Sequence, residues 1–355
     1  MAKYQEVIGW ITEQIEGGTL HPGMKIPSEN TLCQQFGISR QTARHAISEL
    51  EGKGLLYSRR GSGTFISGKI KDAEKRQKRI AVVTTYVDSY IFPETLQGIE
   101  SGLNRYGYLM QISFTNNDFD KERMILEDIL ANDDIAGLII EPTKSTLPNP
   151  NLELFRKLMG REIPVLFINS YYPELRCHHV SLNDRECAYK AVSRLIELGH
   201  TRIGCIFKLD DGQGMERYSG YRRAMQEKGC PVDESWIVWL DTTDVRHIDD
   251  MRQRIISRLK GCSAVFCYND QVAVNVIDFL QKEGISIPGD VSVVSMDDSE
   301  LATMNGMSLS SVPHPERKLG EKAAENMIHL IHNSGFNATF EFNEELVERN
   351  SIRRI

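Results

Sequence analysis

The sequence predicts an α/β protein in two parts: a small, mostly helical head ending in a β-hairpin, and a much larger doubly wound parallel sheet divided into two lobes. Three observations predict it. Apolar residues in the first fifty positions recur at spacings of three and four, the period of helices that share a core. From Ile80 onward the pattern becomes short Val- and Ile-rich runs with helix-length segments between most of them, as in parallel strands buried on both faces. Charge divides at the same place: residues 1–79 carry 13 Lys and Arg against 8 Asp and Glu, whereas the remainder carries 29 against 41. A basic head on an acidic body suits a nucleic-acid module joined to a second function.

The first helix is read from Tyr4, Ile8, Ile11 and Ile15, and Gly17-Gly18 closes it. After the turn-rich "LHPGMKIPSE", the Ser28 hydroxyl can cap a second helix, and Glu29 in its first turn favours the helix dipole. Leu32 and Phe36 form the inward pair of that helix, and Gly37 suits the position that ends it. Ser39 can cap a third helix, in which Ala43, Ala46, Ile47 and Leu50 face inward. Arg40, Gln41 and Arg44 are thereby left outward near its start. Two short helices joined by a tight glycine turn make a helix-turn-helix, whose second helix enters the major groove with its N-terminal residues leading. Arg can bridge guanine O6 and N7, and Gln adenine N6 and N7. "GLLYS" and "GTFIS" then flank "RRGSG", where Gly61 and Gly63 permit a tight hairpin and Arg59-Arg60 can reach phosphate or the minor groove. One arginine alone is an ordinary solvated charge. Three helices, a wing and a basic tip in this order form a winged helix-turn-helix.

The polar, basic stretch Ser67–Arg79 has no apolar periodicity and reads as an exposed connector. The expected division is a DNA-binding domain over 1–68, a linker over 69–79 and an effector-binding, dimerising domain over 80–355. In the large part "IAVVTTY", "YLMQISFT", "IAGLIIEP", "PVLFIN", "RIGCIF", "SAVFCYND" and "VSVVSMDD" are the strands. Several end in polar residues: Glu141, Asn169, Asn269 with Asp270, and Asp297 with Asp298. Open α/β sheets bind ligands at the carboxyl ends of their strands, which in two lobes face each other across a cleft. Carboxylates and amides with an arginine and aromatic faces describe a reader of sugar hydroxyls. Judged singly, the Asn and Asp pairs are equally well ordinary loop and cap residues.

Other chemistry lacks its marks. No glycine follows the first strand in "TTYVDSYIFPE", against a phosphate cradle. No G-x-S-x-G elbow, H-E-x-x-H or paired-cysteine spacing occurs. The seven scattered cysteines fit reduced thiols,. Without an apolar signal segment or a run of membrane-spanning length, a cytoplasmic protein is expected. No enzyme activity, cofactor or metal is expected.

Two resemblances sharpen these expectations. The stretch "GTLHPGMKIPSENTLCQQFGISRQTARHAISELEGKGLLYSRRGSGTFI" resembles the winged helix-turn-helix of GntR-type bacterial regulators. That resemblance implies DNA contacts at Glu29, Arg40, Gln41, Thr42 and Arg44, at Arg60 and Gly61 in the wing, and at Lys3 and Tyr4, where the first helix abuts the DNA backbone. "LGHTRIG", "ERYSGYRRAM", "VFCYNDQVAVNVIDFLQKEGISIPGDVSVVSMDD" and "LSSVPHPERKLGEKAAE" resemble the periplasmic-binding-protein-like effector domain of LacI/GalR-type repressors. This second resemblance implies effector contacts at Tyr90, Phe92, Glu141, Lys144, Asn169, Arg217, Asn269, Asp297 and His314, with Tyr171, Tyr172 and Asp184 beside them. The LacI-type headpiece and hinge helix are replaced by the GntR-type module. With "VVTTYVDSYIFPETLQGIES", "TNN", "IIEPTKS" and "CYND", the combination resembles the arabinose-responsive repressors of Gram-positive bacteria. It implies a homodimer on operator DNA that a sugar, L-arabinose, releases. The competing readings are the same architecture with another or a phosphorylated sugar, an aminotransferase fused to a GntR-type head, and a periplasmic solute-binding protein. No aminotransferase-like lysine context and no export signal support the last two.

Overall fold

Three helices of the head run over Lys3–Glu16 (α1), Glu29–Phe36 (α2) and Arg40–Gly52 (α3). They belong to a computed structural model that describes residues 3–16, 19–21, 23–52, 54–59, 62–67, 78–86, 90–306 and 308–355. The chain divides into two units, Met1–Gln77 and Lys78–Ile355. In α1 the buried stripe centres on Val7 and Ile11, with Tyr4, Ile8 and Ile15 only partly covered on its flanks. That differs from the stripe expected on Tyr4, Ile8, Ile11 and Ile15, because Val7 and Ile11 lie one turn apart and point straight at the other helices. Ser28 caps α2 by accepting from the Thr31 amide at 3.2 Å, and Gly37 ends it with φ +60°. Ser39 caps α3 in the same way, through the Thr42 amide at 3.1 Å. Ala43, Ala46, Ile47 and Leu50 of α3 are buried as the periodicity requires. The hairpin strands Leu56–Arg59 (β1) and Gly63–Ile66 (β2) pair antiparallel, with Arg59 opposite Gly63 at φ +115°. Residues 23–26 join this hairpin, since the Ile26 amide donates to the Thr64 carbonyl and the Ile66 amide to that of Met24.

The second unit holds two parallel sheets. Its first lobe begins with Arg79–Thr84 (β3), Phe92–Asn104 (α4), Leu109–Phe114 (β4) and Phe119–Ala131 (α5). Ile135–Ile140 (β5), Leu152–Gly160 (α6), Val165–Ile168 (β6) and His178–Leu182 (β7) follow. The chain then crosses to the second lobe with Asp184–Glu197 (α7), Ile203–Lys208 (β8), Gly212–Glu227 (α8), Ile237–Leu240 (β9), Thr242–Arg246 (α9) and Arg252–Leu259 (α10). Ala264–Cys267 (β10), Asp270–Lys282 (α11), Ser292–Asp297 (β11) and Ser310–Pro313 (β12) complete that lobe's sheet. It returns to the first lobe through Glu316–His332 (α12) and Phe340–Phe342 (β13), and residues 343–355 lie back on the second. The sheet orders are β13-β7-β6-β5-β3-β4 and β12-β11-β10-β8-β9.

The lobes are therefore stitched by three crossings rather than strung in sequence. Helix α12, which follows the second lobe in the chain, packs on α4 of the first. A side chain at Gly98 or Gly320 would meet the backbone of the opposite helix, so both positions allow the two helices to touch. Strands β7, β9, β12 and β13 were not among those read from the sequence. Three of these four lie at sheet edges, and "HHVSL" and "SSVP" carry polar residues that a run of Val and Ile would exclude.

Candidate functional site

On the head, α3 presents Arg40, Gln41 and Arg44 to solvent. Glu29, at the start of α2, sits between the two arginines: it accepts from Arg40 Nε at 3.3 Å and from Arg44 Nε at 3.0 Å. The arginine side chains stay about two-thirds exposed at 65% and 67%, so these pairs set direction rather than stability,. Thr42 is turned toward Ser39, with their hydroxyls 2.8 Å apart. Lys3 Nζ donates to the Gly37 carbonyl at 3.4 Å, and the Tyr4 ring stands edge-on to His45 of α3 at 4.6 Å. These last two residues thus brace α1 against the helix-turn-helix. Arg60 and Gly61 lie outside the described residues.

In the second unit a cavity of about 280 Å³ opens between the lobes at the carboxyl ends of the strands. Of the expected effector residues, Tyr90, Phe92, Glu141, Asn269 and Asp297 line it. Glu141 is fixed at the end of β5 by the Thr85 amide at 2.9 Å, the Thr85 hydroxyl and Asn169 Nδ2 at 2.9 Å. Burial pushes its pKa up, and those bonds oppose the shift. Asp297 takes Arg217 Nη2 on one oxygen at 3.1 Å and the Tyr90 hydroxyl on the other at 2.7 Å. Tyr90, at φ +68°, belongs to the first lobe, so its bond to Asp297 crosses the cleft. Burial first, then the Asp297 and Asp270 charges, raise the Tyr90 pKa and keep it a neutral donor. Asn269 also caps α11 by accepting from the Val272 amide at 3.0 Å. Its cap and cavity positions coincide.

Other expected residues support the cavity from behind. Arg217 is 1% exposed and donates to Asp184 at 2.7 Å, to the Tyr268 carbonyl at 2.5 Å and to Asp297, with its guanidinium over the Tyr268 ring. Asp184 is thus the counter-ion of Arg217 and stands off the cavity lining. Asn169, at φ +64°, links Glu141 to His314 Nε2 at 3.3 Å. Burial holds the His314 pKa down to about 4, so its imidazole stays neutral. Three expectations need correction. Tyr172 is buried against Phe155 and Phe167 and gives its hydroxyl to Glu122 at 2.7 Å, so it holds the core instead of facing a ligand. Tyr171 points to solvent and stacks on His179 at 4.4 Å. The Lys144 ammonium lies over the Phe119 ring, off the lining, where the ring face offers it a cation–π partner,.

The lining also holds residues that the sequence reading missed, among them Tyr86, Asn117, Lys208, Asp211, Arg246 and Tyr268. Lys208 ends β8 and is paired with Asp211 at 2.9 Å and Asp210 at 3.3 Å. Burial works against its charge, but those two carboxylates prevail and raise its pKa. Further bonds close the lobes on each other. Asn117 donates to Thr242 at 2.6 Å, the Gly212 amide to Ser145 at 2.8 Å, and Arg246 to the Tyr86 hydroxyl at 3.0 Å. Lys208 and Asp211 flank the end of a predicted strand, "RIGCIF" followed by "KLDD", so the strand-end rule could have found them. Arg246 had no such signal, since α9 is a five-residue helix. Among the described residues no group of acidic, His or Cys side chains could hold a metal, and no helix is long and apolar enough to cross a membrane.

An exposed arginine face on a helix-turn-helix and an inter-lobe cavity lined by both charged and aromatic side chains define a DNA-binding regulator with a small-molecule effector site. Residues 3–66 match the gntR family of bacterial regulatory proteins, and residues 192–352 match the periplasmic binding protein-like domain. The chain is 36% identical over 357 residues to an arabinose metabolism transcriptional repressor of Geobacillus stearothermophilus, covering 99% of this chain and 96% of that one. It is 35% identical over 335 residues to a protein of the same description from Halalkalibacterium halodurans, covering 93% and 89%. The crystal structure of a GntR transcription regulator from Chromobacterium violaceum matches 77% of this chain and 99% of its own, with a TM-score of 0.67 at 25% identity. The chain belongs to the family of arabinose metabolism transcriptional repressors. It is a sugar-responsive, DNA-binding repressor and not an enzyme.

Proposed function

We propose that this repressor controls genes of arabinose use, that its effector is L-arabinose, and that it acts as a homodimer on a pseudo-palindromic operator. Residues 1–68 would read the DNA, 69–79 would connect, and 80–355 would bind sugar and dimerise. The observation that carries the reading of a neutral sugar is that two cations at the cavity, Lys208 and the underlying Arg217, are already matched by carboxylates, while Arg246 in the lining is held by the Tyr86 hydroxyl and the Asn116 carbonyl. Lys208 is paired with Asp210 and Asp211, and Arg217 behind Asp297 with two carboxylates. A phosphate would find Arg246 as the one lining cation without a carboxylate partner among the described residues, whereas sugar hydroxyls add donors and acceptors to the matched groups,. Glu141 and Asp297 accept from hydroxyls, Asn269 donates, and Phe92 with Tyr86 offers an apolar wall. The names of the two curated relatives point to arabinose in particular. For DNA, Arg40, Gln41 and Arg44 would meet base edges, Lys3, Tyr4 and Thr42 would fix the helix on the backbone, and Arg60 and Gly61 would serve in the wing.

Sugar that binds better to the closed cleft favours that form by its differential affinity and no more. Linkage then requires operator DNA to weaken sugar binding by the same factor by which sugar weakens DNA binding. The test is calorimetric titration of the full chain with L-arabinose, neutral epimers and L-arabinose 5-phosphate, each with and without saturating operator. L-arabinose should bind tightest and bind more weakly on DNA. Preference for the phosphate would replace the effector, and tighter binding on DNA would make the sugar a corepressor.

A further inference from the structure

Asp297 and Asp298, at the end of β11, both have left-handed backbones, with φ +97° and +45°. Nothing in the local "SMDDSE" demands this, since neither residue is glycine. Non-glycine residues stay in this region only where their surroundings over-determine them. The result is that Asp297 leaves the strand aimed into the cleft, where it meets Arg217 and Tyr90, while Asp298 is turned the other way.

What holds Asp298 comes from the far end of the chain. Arg349 Nη1 and Nη2 grip its two carboxylate oxygens at 2.6 and 3.1 Å, and Nη1 also reaches the Leu309 carbonyl at 2.8 Å. The pair is largely sheltered, with 23% and 15% side-chain exposure. The segment that carries Arg349 is itself tied down. Val347 and Ser311 exchange backbone bonds, the Ser310 hydroxyl accepts from the Arg349 amide at 2.8 Å, and Ser351 Oγ joins Ser310 to Val293. From Ser311 the path continues inward. Its hydroxyl accepts from the Asp298 amide at 3.0 Å and donates to the buried Asp270 at 2.7 Å. Asp270 also receives the Ser299 amide and hydroxyl, and its own amide donates to the Tyr90 hydroxyl at 3.2 Å. A continuous hydrogen-bonded chain thus runs from the C-terminal segment to Tyr90, one of the two groups that meet at Asp297.

We propose that Arg349 is a positioning residue for effector binding, which through Asp298 holds the end of β11 in the conformation that aims Asp297 at the ligand. This rests on the reading of the inter-lobe cavity as the sugar site. A planar bidentate fork fixes an angle as well as a distance, which a lysine at the same place cannot do. Arg349 stands off the cavity lining, so its contribution would be orientation alone.

The test is titration of full-length wild type, Arg349→Gln, Arg349→Lys, Asp298→Asn and the Arg349→Gln/Asp298→Asn double variant with L-arabinose. Thermal unfolding without sugar and operator binding are measured on each. Wild-type titration reports on the sugar site; the ratios between variants report on the positioning. Each single amide variant should lose affinity about tenfold, the size seen when a supporting shell is loosened. The double variant should lose no more than either single, because both break one link. Arg349→Lys should fall between wild type and Arg349→Gln, and operator affinity should hold throughout. Affinities within twofold of wild type in Arg349→Gln and Arg349→Lys would overturn the proposal. So would losses that multiply in the double variant.

Discussion

The two functional regions are built on opposite terms. On the head, Arg40 and Arg44 project into solvent, and one shared carboxylate, Glu29, is their partner. In the cleft, Arg217 is buried among two carboxylates, a carbonyl and an aromatic face, and Asp297 has both oxygens occupied. A surface that must meet a polyanion keeps its cations hydrated and free to rearrange, since exposed ion pairs contribute little. A pocket that must tell one hydroxyl pattern from another needs groups locked before the ligand arrives. On the proposed function, the same residue type would read DNA in one place and brace a binding carboxylate in the other.

The contrast can be broken by substitution, and the largest effect belongs to Arg217. Arg217→Met leaves Asp184 and Asp297 buried and uncompensated, and should destabilise the second unit by about 3–5 kcal/mol. Urea unfolding measures it. A loss under about 1 kcal/mol would mean that the buried triad is no tighter than the surface pairs, a size ordinary for exposed ion pairs. Next in size is Asp297→Ala, which should weaken L-arabinose by about 1–3 kcal/mol and leave repression unrelieved by sugar. Unaltered sugar affinity in calorimetry would remove Asp297 from the site.

Arg40→Ala and Arg44→Ala should each cost about 1–3 kcal/mol of operator preference, if each reads a base bidentately. Stability should move by less than about 0.5 kcal/mol, as for other exposed positions. Fluorescence anisotropy against operator and scrambled DNA separates base reading from phosphate attraction. A variant that keeps the wild-type preference would remove that arginine from base recognition.

The smallest effect sharpens the comparison through pH. Burial, with Arg217 adding to it and Asp297 opposing, lowers the His314 pKa to about 4, against about 6.5 in an unfolded chain. The folded state therefore prefers the neutral ring. Its contribution is present above about pH 6.5 and is lost as pH falls through about 4. His314→Gln should flatten the decline in urea midpoint between pH 7 and 4.5. An unchanged slope would assign that decline to other groups.

The head was legible in the sequence because its site is local. Capping serines, the α3 stripe and the outward arginines all lie within twenty-three residues, Ser28 to Leu50, and helical period alone decides which side each faces. The parallel-strand pattern also declared the two sheets, and strand-end chemistry located Glu141, Asn269 and Asp297. What no local pattern carries is the pairing of distant segments. Tyr172 looks like a ligand aromatic until Glu122, fifty residues away, takes its hydroxyl. Arg246 enters the cavity from a five-residue helix, and the Lys144 ammonium lies instead over the ring of Phe119, twenty-five residues earlier. The edge strand β13 has only three residues and β12 is half serine, and Arg349 meets Asp298 only because the chain crosses the lobes three times. Sequence determined each element's period, caps and buried face, which are short-range consequences of side-chain shape and hydrophobicity. Tertiary structure decided which buried charges and hydroxyls meet, because that depends on which strand ends the crossings bring to one cleft.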